Sequence, residues 1–221
     1  GIYQACIKMR NEFIFQTQLI LLMMFCGRRR ETLLKLQWQW VEWNEETHII
    51  DGKKVTTYGK VVIPKHVNKT KKPDKFMITE MIRNVLLDLK KQRQEMGWSM
   101  FSDWLFPSTR IPNKHLLTSD NMANSEEDRV KDVIGLWRRI KLEVGFKGPA
   151  AMKMFRNTYE NTVNRNRNAA STWDVISVTG RADTGSSEKA YLNKSFTPSV
   201  TTLSTSVDEE FSNIIRFKKA N

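Results

Sequence analysis

Eight consecutive apolar residues, Leu19 to Cys26, run directly into Gly27 and then into Arg28-Arg29-Arg30. A stretch this apolar belongs in a core, whereas three adjacent guanidinium groups normally form a solvated edge. The chain must therefore turn at Gly27, the residue that most readily takes the left-handed cap of a helix. Upstream, Ile2, Ala5, Met9, Phe13, Ile20 and Met24 continue at near-helical spacing, which predicts one long buried helix over 2–26 with Gly27 as its C-terminal cap. The run is too short to cross a bilayer, and Lys8 and Arg10 lie in the same predicted helix, so it reads as a core element. Beyond the turn, Leu33, Leu34 and Leu36 anchor a short second helix whose start projects the arginines.

The charge balance narrows the partner. Lys and Arg number 36 against 24 Asp and Glu, a formal +12 with a pI near 9.8, which favours a polyanion such as nucleic acid. The same charge also fits a ribosome-associated or membrane-surface protein. At 221 residues and 40% apolar, the chain can bury one sizeable domain, with at most a small appendage. Cys6 and Cys26 lie singly in apolar helical patterns, the pattern of reduced thiols in an intracellular protein. His48, His66 and His115 are far apart, so no metal site is signalled. The first residue is Gly1 and not Met, which reads as a domain cut from a longer protein with a partner domain expected on its N-terminal side.

From Thr47 to Ile78 the apolar period shortens to that of strands: Thr47–Ile50, an Asp51-Gly52 turn, Val55–Tyr58, Lys60–Ile63, a turn over 68–74 and Lys75–Ile78. Lys53, Lys54, Lys60, Lys65, Lys69, Lys71, Lys72 and Lys75 decorate this hairpin, opposed only by Asp51 and Asp74. Such a basic hairpin either tracks a phosphate backbone or is a lysine-rich edge that blocks further strand pairing. Thr79 caps a predicted helix to about Gln94, with Met81, Ile82, Val85, Leu86 and Leu89 inward. Residues 98–127 read as irregular, with Trp98, Phe101, Trp104, Leu105 and Phe106 as packing residues; base stacking is the competing use for those rings. Residues 128–143 are amphipathic through Val130, Val133, Ile134, Leu136, Trp137, Ile140 and Leu142. The pattern as a whole is mainly α with a small antiparallel β-sheet, an α+β chain.

The chemistry gathers late in the chain. After Pro149, a helix carries Met152, Phe155 and Tyr159 inward, with Lys153 and Arg156 three residues apart on an adjoining face, so both cations can reach one anion. Gly180-Arg181 follows a short helix capped by Ser171, and Tyr191 stands in a last short helix. A tyrosine phenol ionises only near pH ~10, so as a nucleophile it needs cations around itself and around its target. Arg156 and Arg181, permanently charged forks, suit the non-bridging oxygens of a phosphodiester. Residues 196–206 have the Ser/Thr/Pro composition of a linker, and 207–218 form a small amphipathic helix with Val207, Phe211, Ile214 and Ile215 on one face.

With these pieces in order, residues 10–195 resemble the catalytic domain of the tyrosine recombinases, the phage-integrase family. Gly27-Arg28-Arg29 continuing to Leu33, Leu36 and Trp38 is similar to its first arginine box, Asn68-Lys69-Thr70 to its β-hairpin lysine turn, and Lys153-Met154-Phe155-Arg156 to its His-x-x-Arg box. Gly180-Arg181 and Tyr191 follow in the family's order. The resemblance implies the fold shared by recombinases and type IB topoisomerases, with a catalytic domain over 1–195, a linker over 196–206 and a C-terminal helix over 207–221. It implies Tyr191 as nucleophile, Arg29, Arg156 and Arg181 on the phosphate together with Lys153, and Lys69 as general acid toward the leaving 5′-oxygen. Arg28, Arg30, Lys71 and Lys72 are expected to hold the backbone of double-stranded DNA. Neither a metal nor another cofactor is implied, and the partner set is DNA plus a dimer or tetramer of the same chain, with no membrane. Three departures stand out: Lys153 for the usual His, Arg181 for the usual His or Trp, and Thr32 for an acidic residue. Lysine in the second box also occurs in type IB topoisomerases and telomere resolvases, and the departures together leave open a DNA-binding module without catalysis. The C-terminal helix either docks on its own domain or passes to a neighbouring protomer.

Overall fold

The first helical pattern breaks in two. In the computed structural model, which describes residues 1–50, 52–68, 71, 73–97, 102–109, 122–148, 151–166, 172–179 and 198–217 (backbone only for 172–173, 176–177 and 213–217), α1 spans Ile2–Met9 and α2 spans Ile14–Cys26. The expected single helix over 2–26 is interrupted at Arg10-Asn11-Glu12. That break lets Arg10 reach the carboxylate of Asp88 and lets Glu12 accept a two-pronged contact from Arg139 at 2.5 and 2.9 Å. α2 is buried along nearly its whole length and packs between later helices, as its continuous apolar run requires.

Gly27 closes α2 in the left-handed conformation, at φ 61°. α3, Arg30–Leu33, begins after Arg29, and Leu33, Leu34 and Leu36 are fully buried behind it. A 3-10 turn at Trp38–Trp40 leads into β1, Val41–Ile50, which pairs antiparallel with β2, Lys53–Ile63. β3, Asp74–Met77, pairs antiparallel with β2 to give the sheet order β1-β2-β3. β1 starts six residues earlier than the alternation suggested, because a bulge between Trp43 and Glu46 resets the register and interrupts the pattern. Lys75 departs from its expected place on the basic edge: it lies buried in β3 opposite Val62.

α4, Glu80–Glu95, follows Thr79 and lays Ile82, Val85, Leu86 and Leu89 on α2. Of the irregular region, Trp104, Leu105 and Phe106 are buried, so there the aromatic residues pack; Trp98 and Phe101 lie outside the described residues. Arg93 is buried at the end of α4 and donates to the carbonyls of Ser102 (2.5 Å) and Trp104, tying this region down. α5 is shorter than expected, Ile134–Glu143, preceded by a 3-10 turn at Glu126–Asp128. Asp132 caps it by accepting from the backbone N–H groups of Val133 (2.7 Å) and Ile134 (3.0 Å). Leu142, placed inward by the periodicity, is 82% exposed on the short helix that results.

α6, Lys153–Arg165, and α7, Thr172–Thr179, pack on each other and under α8, Pro198–Phe217. The linker expected over 196–206 is corrected here: residues 198–206 are the first half of a continuous helix. Its hydroxyls turn back onto the helix, Thr202 Oγ1 to the Pro198 carbonyl (3.0 Å) and Thr205 Oγ1 to the Thr201 carbonyl (3.0 Å). Val200, Leu203 and Val207 fall on one face and are buried against Met77, Tyr159, Val163 and Val178, forming a second, smaller core beside the main one around α2. In this structure α8 thus docks on its own chain. The architecture is α+β, helices around a three-stranded antiparallel sheet, and among the described residues no helix is long and apolar enough to cross a membrane.

Candidate functional site

The site is organised by how closely α2 ends against α6. A Cβ on Gly27 would lie 2.4 Å from Cδ1 of Tyr159, so only glycine permits this approach, quite apart from its positive φ. Tyr159 follows Arg156 by three residues on α6. The contact that seats Gly27 on the tyrosine ring therefore brings the arginine turn, two residues on, alongside Arg156. The two residues come from opposite ends of the chain.

The electrostatics of Arg156 report this arrangement. Desolvation is the main influence pushing its guanidinium below the ordinary arginine range; next is the positive charge of Arg29, ahead of the opposing effect of Glu160, with Arg28 adding to the repulsion. Glu160, one turn along α6, accepts a hydrogen bond from Arg156 Nε at 2.9 Å and balances one charge. Arg29 occupies the position preceding α3 in extended conformation (φ −67°, ψ 138°) and is half-buried. Lys153 opens α6 and is exposed, three residues from Arg156. The structure thus sets Arg29 within electrostatic reach of Arg156, with Lys153 on the same helix as Arg156.

Arg28 goes the other way. Expected among the DNA-contacting residues, it is instead only 2% exposed and wholly engaged inside the protein. Its Nε stands 2.8 Å from Asp74 Oδ2, and its Nη2 donates to Asp74 Oδ1 (3.2 Å) and to the Lys75 carbonyl (2.7 Å). Nη1 donates to the carbonyls of Val178 (2.6 Å) and Cys26 (3.4 Å). A buried carboxylate and carbonyls on several sides suit the fixed fork of a guanidinium, and a lysine could satisfy only part of them. Arg30 turns outward to Glu31 (2.8 Å from Nε) and Asp132 (3.5 Å), partners that a surface arginine exchanges readily.

Of the expected hairpin residues, Lys71 is exposed at φ 53°, its backbone N–H donating to the Asn68 carbonyl at 2.9 Å. Lys69, Lys72, Arg181 and Tyr191 lie outside the described residues. Lys75 is no surface contact; burial is the first influence lowering its pKa, and the charge of Lys60 adds to it. The other tyrosines have structural roles. Tyr159 is buried and desolvation pushes its phenol well above the usual range, Arg83 lies 4.6 Å over the Tyr58 ring, and Tyr3 packs on the main core.

Three acidic residues with structural roles are not evident from the sequence pattern. Glu160 could have been found, since Arg156-x-x-x-Glu160 is a helical ion-pair spacing. Asp74 read as a hairpin-turn residue, and its burial against Arg28 has no local signature. Asp208 lies in α8, yet its carboxylate accepts from Thr79 Oγ1 (2.9 Å) and from the Met81 N–H (2.8 Å), capping α4 from another element. Among the described residues no group of His, Cys, Asp and Glu is arranged to hold a metal ion. No family model matches this chain, and comparison with curated proteins likewise finds no match.

Proposed function

We propose that this domain cleaves and rejoins DNA strands through a 3′-phosphotyrosine intermediate, as the catalytic domain of a tyrosine recombinase. The observation that carries the reading is the close seating of Gly27 on Tyr159, which brings the arginine turn to the helix that bears Arg156, so that the charge of Arg29 acts on Arg156. The charge of Arg29, from a distant segment, adds to the burial that disfavours the charged form of Arg156, a poor structural choice unless an anion bridges the two. A phosphodiester is such an anion, and the strongly basic chain favours a nucleic-acid source for it. In this reading Tyr191 attacks the phosphorus in line and becomes esterified to the 3′ side as the 5′-oxygen leaves. Arg29, Arg156 and Arg181 balance charge on the equatorial oxygens, Lys153 adds a hydrogen bond, and Lys69 gives its proton to the leaving oxygen. The phosphotyrosine bond conserves the energy of the broken phosphodiester. Attack by the 5′-hydroxyl of a second strand releases Tyr191, so the cycle draws on no nucleotide hydrolysis. Recombination then requires a homo-oligomer assembled on double-stranded DNA.

The test is a nicked suicide duplex incubated with the protein and resolved under denaturing conditions. A covalent protein–DNA band is expected from the wild type and not from Tyr191→Phe, which should bind the duplex nearly as well. An adduct on the Phe variant would move the nucleophile elsewhere, and no adduct from the wild type would overturn strand cleavage. Relaxation of supercoiled DNA by a monomer without a specific site would reassign the protein to the topoisomerases.

A further inference from the structure

We infer that Arg28 is a positioning residue of the strand-cleaving site: its buried guanidinium fixes the backbone on which Arg29 stands, and through it the placement of Arg29 beside Arg156. The inference rests on the reading proposed above. Of three consecutive arginines, Arg28 alone is sealed in the interior, where it is held by the Asp74 carboxylate and by the carbonyls of Cys26, Lys75 and Val178. Those partners belong to the end of α2, to β3 and to α7, so one side chain joins three elements around the arginine turn. The Phe76 ring packs 5.6 Å from the guanidinium carbon and closes one side.

Arg29 has little freedom left as a result. The residue before it is anchored by its side chain, Gly27 is pressed onto the ring of Tyr159, and the residue after it begins α3. A catalytic cation must stand within a fraction of an ångström of its working position, and a displacement of ~1 Å can cost ~100-fold in rate. The charge of Arg28 is not what this role requires, since Arg156 is better off without it nearby. What is required is the fork, which holds several acceptors in fixed directions at once.

Arg28→Lys separates these features, keeping the charge while losing the fork. Three quantities are read: the thermal midpoint, affinity for an intact duplex, and the single-turnover rate of adduct formation on the nicked duplex, at a temperature where each variant is fully folded. Cleavage should fall on the order of 100-fold while duplex affinity stays within ~3-fold. A double-mutant cycle distinguishes positioning from general damage, because residues that act as one unit are not additive. Placed on an Arg29→Lys background, Arg28→Lys should lower the rate by no more than ~3-fold further. Should Arg28→Lys not fold, Asp74→Asn keeps the guanidinium and its carbonyl bonds and takes its place in the same cycle.

An unchanged cleavage rate in the folded variant would overturn the inference, as would losses that multiply in the cycle. Failure of both variants to fold would also overturn it, because Arg28 would then be indispensable to the fold and not a setting of the site. A wild type that forms no adduct sinks the strand-cleavage reading, and the inference falls with it. A wild type that forms one, while folded Arg28→Lys matches its rate, sinks the inference alone.

Discussion

Replacing Asp208 by Asn should make the protein more stable at neutral pH, although it removes a native charge. The carboxylate is buried under α8, and desolvation is the leading cause that raises its pKa from 3.8 to about 7, with Glu80 and Glu209 adding to the rise and the bonds from Met81 and Thr79 opposing it. An acid whose pKa is raised on folding disfavours the folded state once it ionises. The native state holds the proton longer than the unfolded chain does, so stability is lost as pH climbs from the unfolded value to the folded one. A rise of about three units, already net of the bonds from Met81 and Thr79, corresponds to roughly 4 kcal/mol, and the imperfect match of an amide to a protonated carboxyl at those two bonds offsets up to ~2 of that. Asparagine keeps the geometry: its carbonyl accepts from the Met81 N–H, and its amide donates to Thr79 Oγ1, which is donor or acceptor as needed. We therefore expect the variant to exceed the wild type by about 2 kcal/mol in denaturant unfolding at about pH 8, with the gap opening above about pH 4 and levelling off beyond about pH 7. A variant less stable than the wild type at about pH 8, or a gap independent of pH, would refute the reasoning, because the carboxylate would then be capping α4 in its charged form.

Two substitutions probe the packing beneath the site. Gly27→Ala must strain a left-handed residue and drive a methyl into the Tyr159 ring at 2.4 Å, so we expect a loss of ~3 kcal/mol or more in unfolding free energy; near wild-type stability would mean that α2 and α6 are not in contact there. Leu203→Ala opens a cavity where the side chain is 1% exposed and should cost about 2–5 kcal/mol, whereas a linker residue would lose less than ~0.5, a difference that thermal unfolding resolves.

Residues 198–206 mark where local reading stops. Their Ser and Thr content reads as flexible, because hydroxyls compete for backbone groups in an isolated chain. In the folded protein the same hydroxyls bond carbonyls one turn back, and Val200, Leu203 and Val207 supply the burial that holds the helix. Tertiary contact overrode composition. By contrast, the end of α2 at Gly27 and the burial of Leu33 and Leu36 were legible because each depends on neighbours within a few residues, whereas the cap expected of Thr79 on α4 is supplied instead by Asp208 from α8. Legible too was the placement of Lys153 and Arg156 on one helix.

The three consecutive arginines make the division sharpest. By composition Arg28, Arg29 and Arg30 are interchangeable, and nothing local to them assigns one to the interior. The turn does so. Leaving a left-handed Gly27 that is held against Tyr159, the chain runs extended through Arg29 into α3, and the three arginines part: Arg28 inward to Asp74, Arg29 half-buried with its charge acting on Arg156, Arg30 outward to Asp132. Each destination depends on a residue far away in the chain, the acid at the base of β3, the arginine on α6 or the acid before α5. What distinguishes a buried anchor, a half-buried cation and a surface charge is therefore the set of partners that the fold delivers to each. A glycine that admits no Cβ is what makes the delivery reproducible.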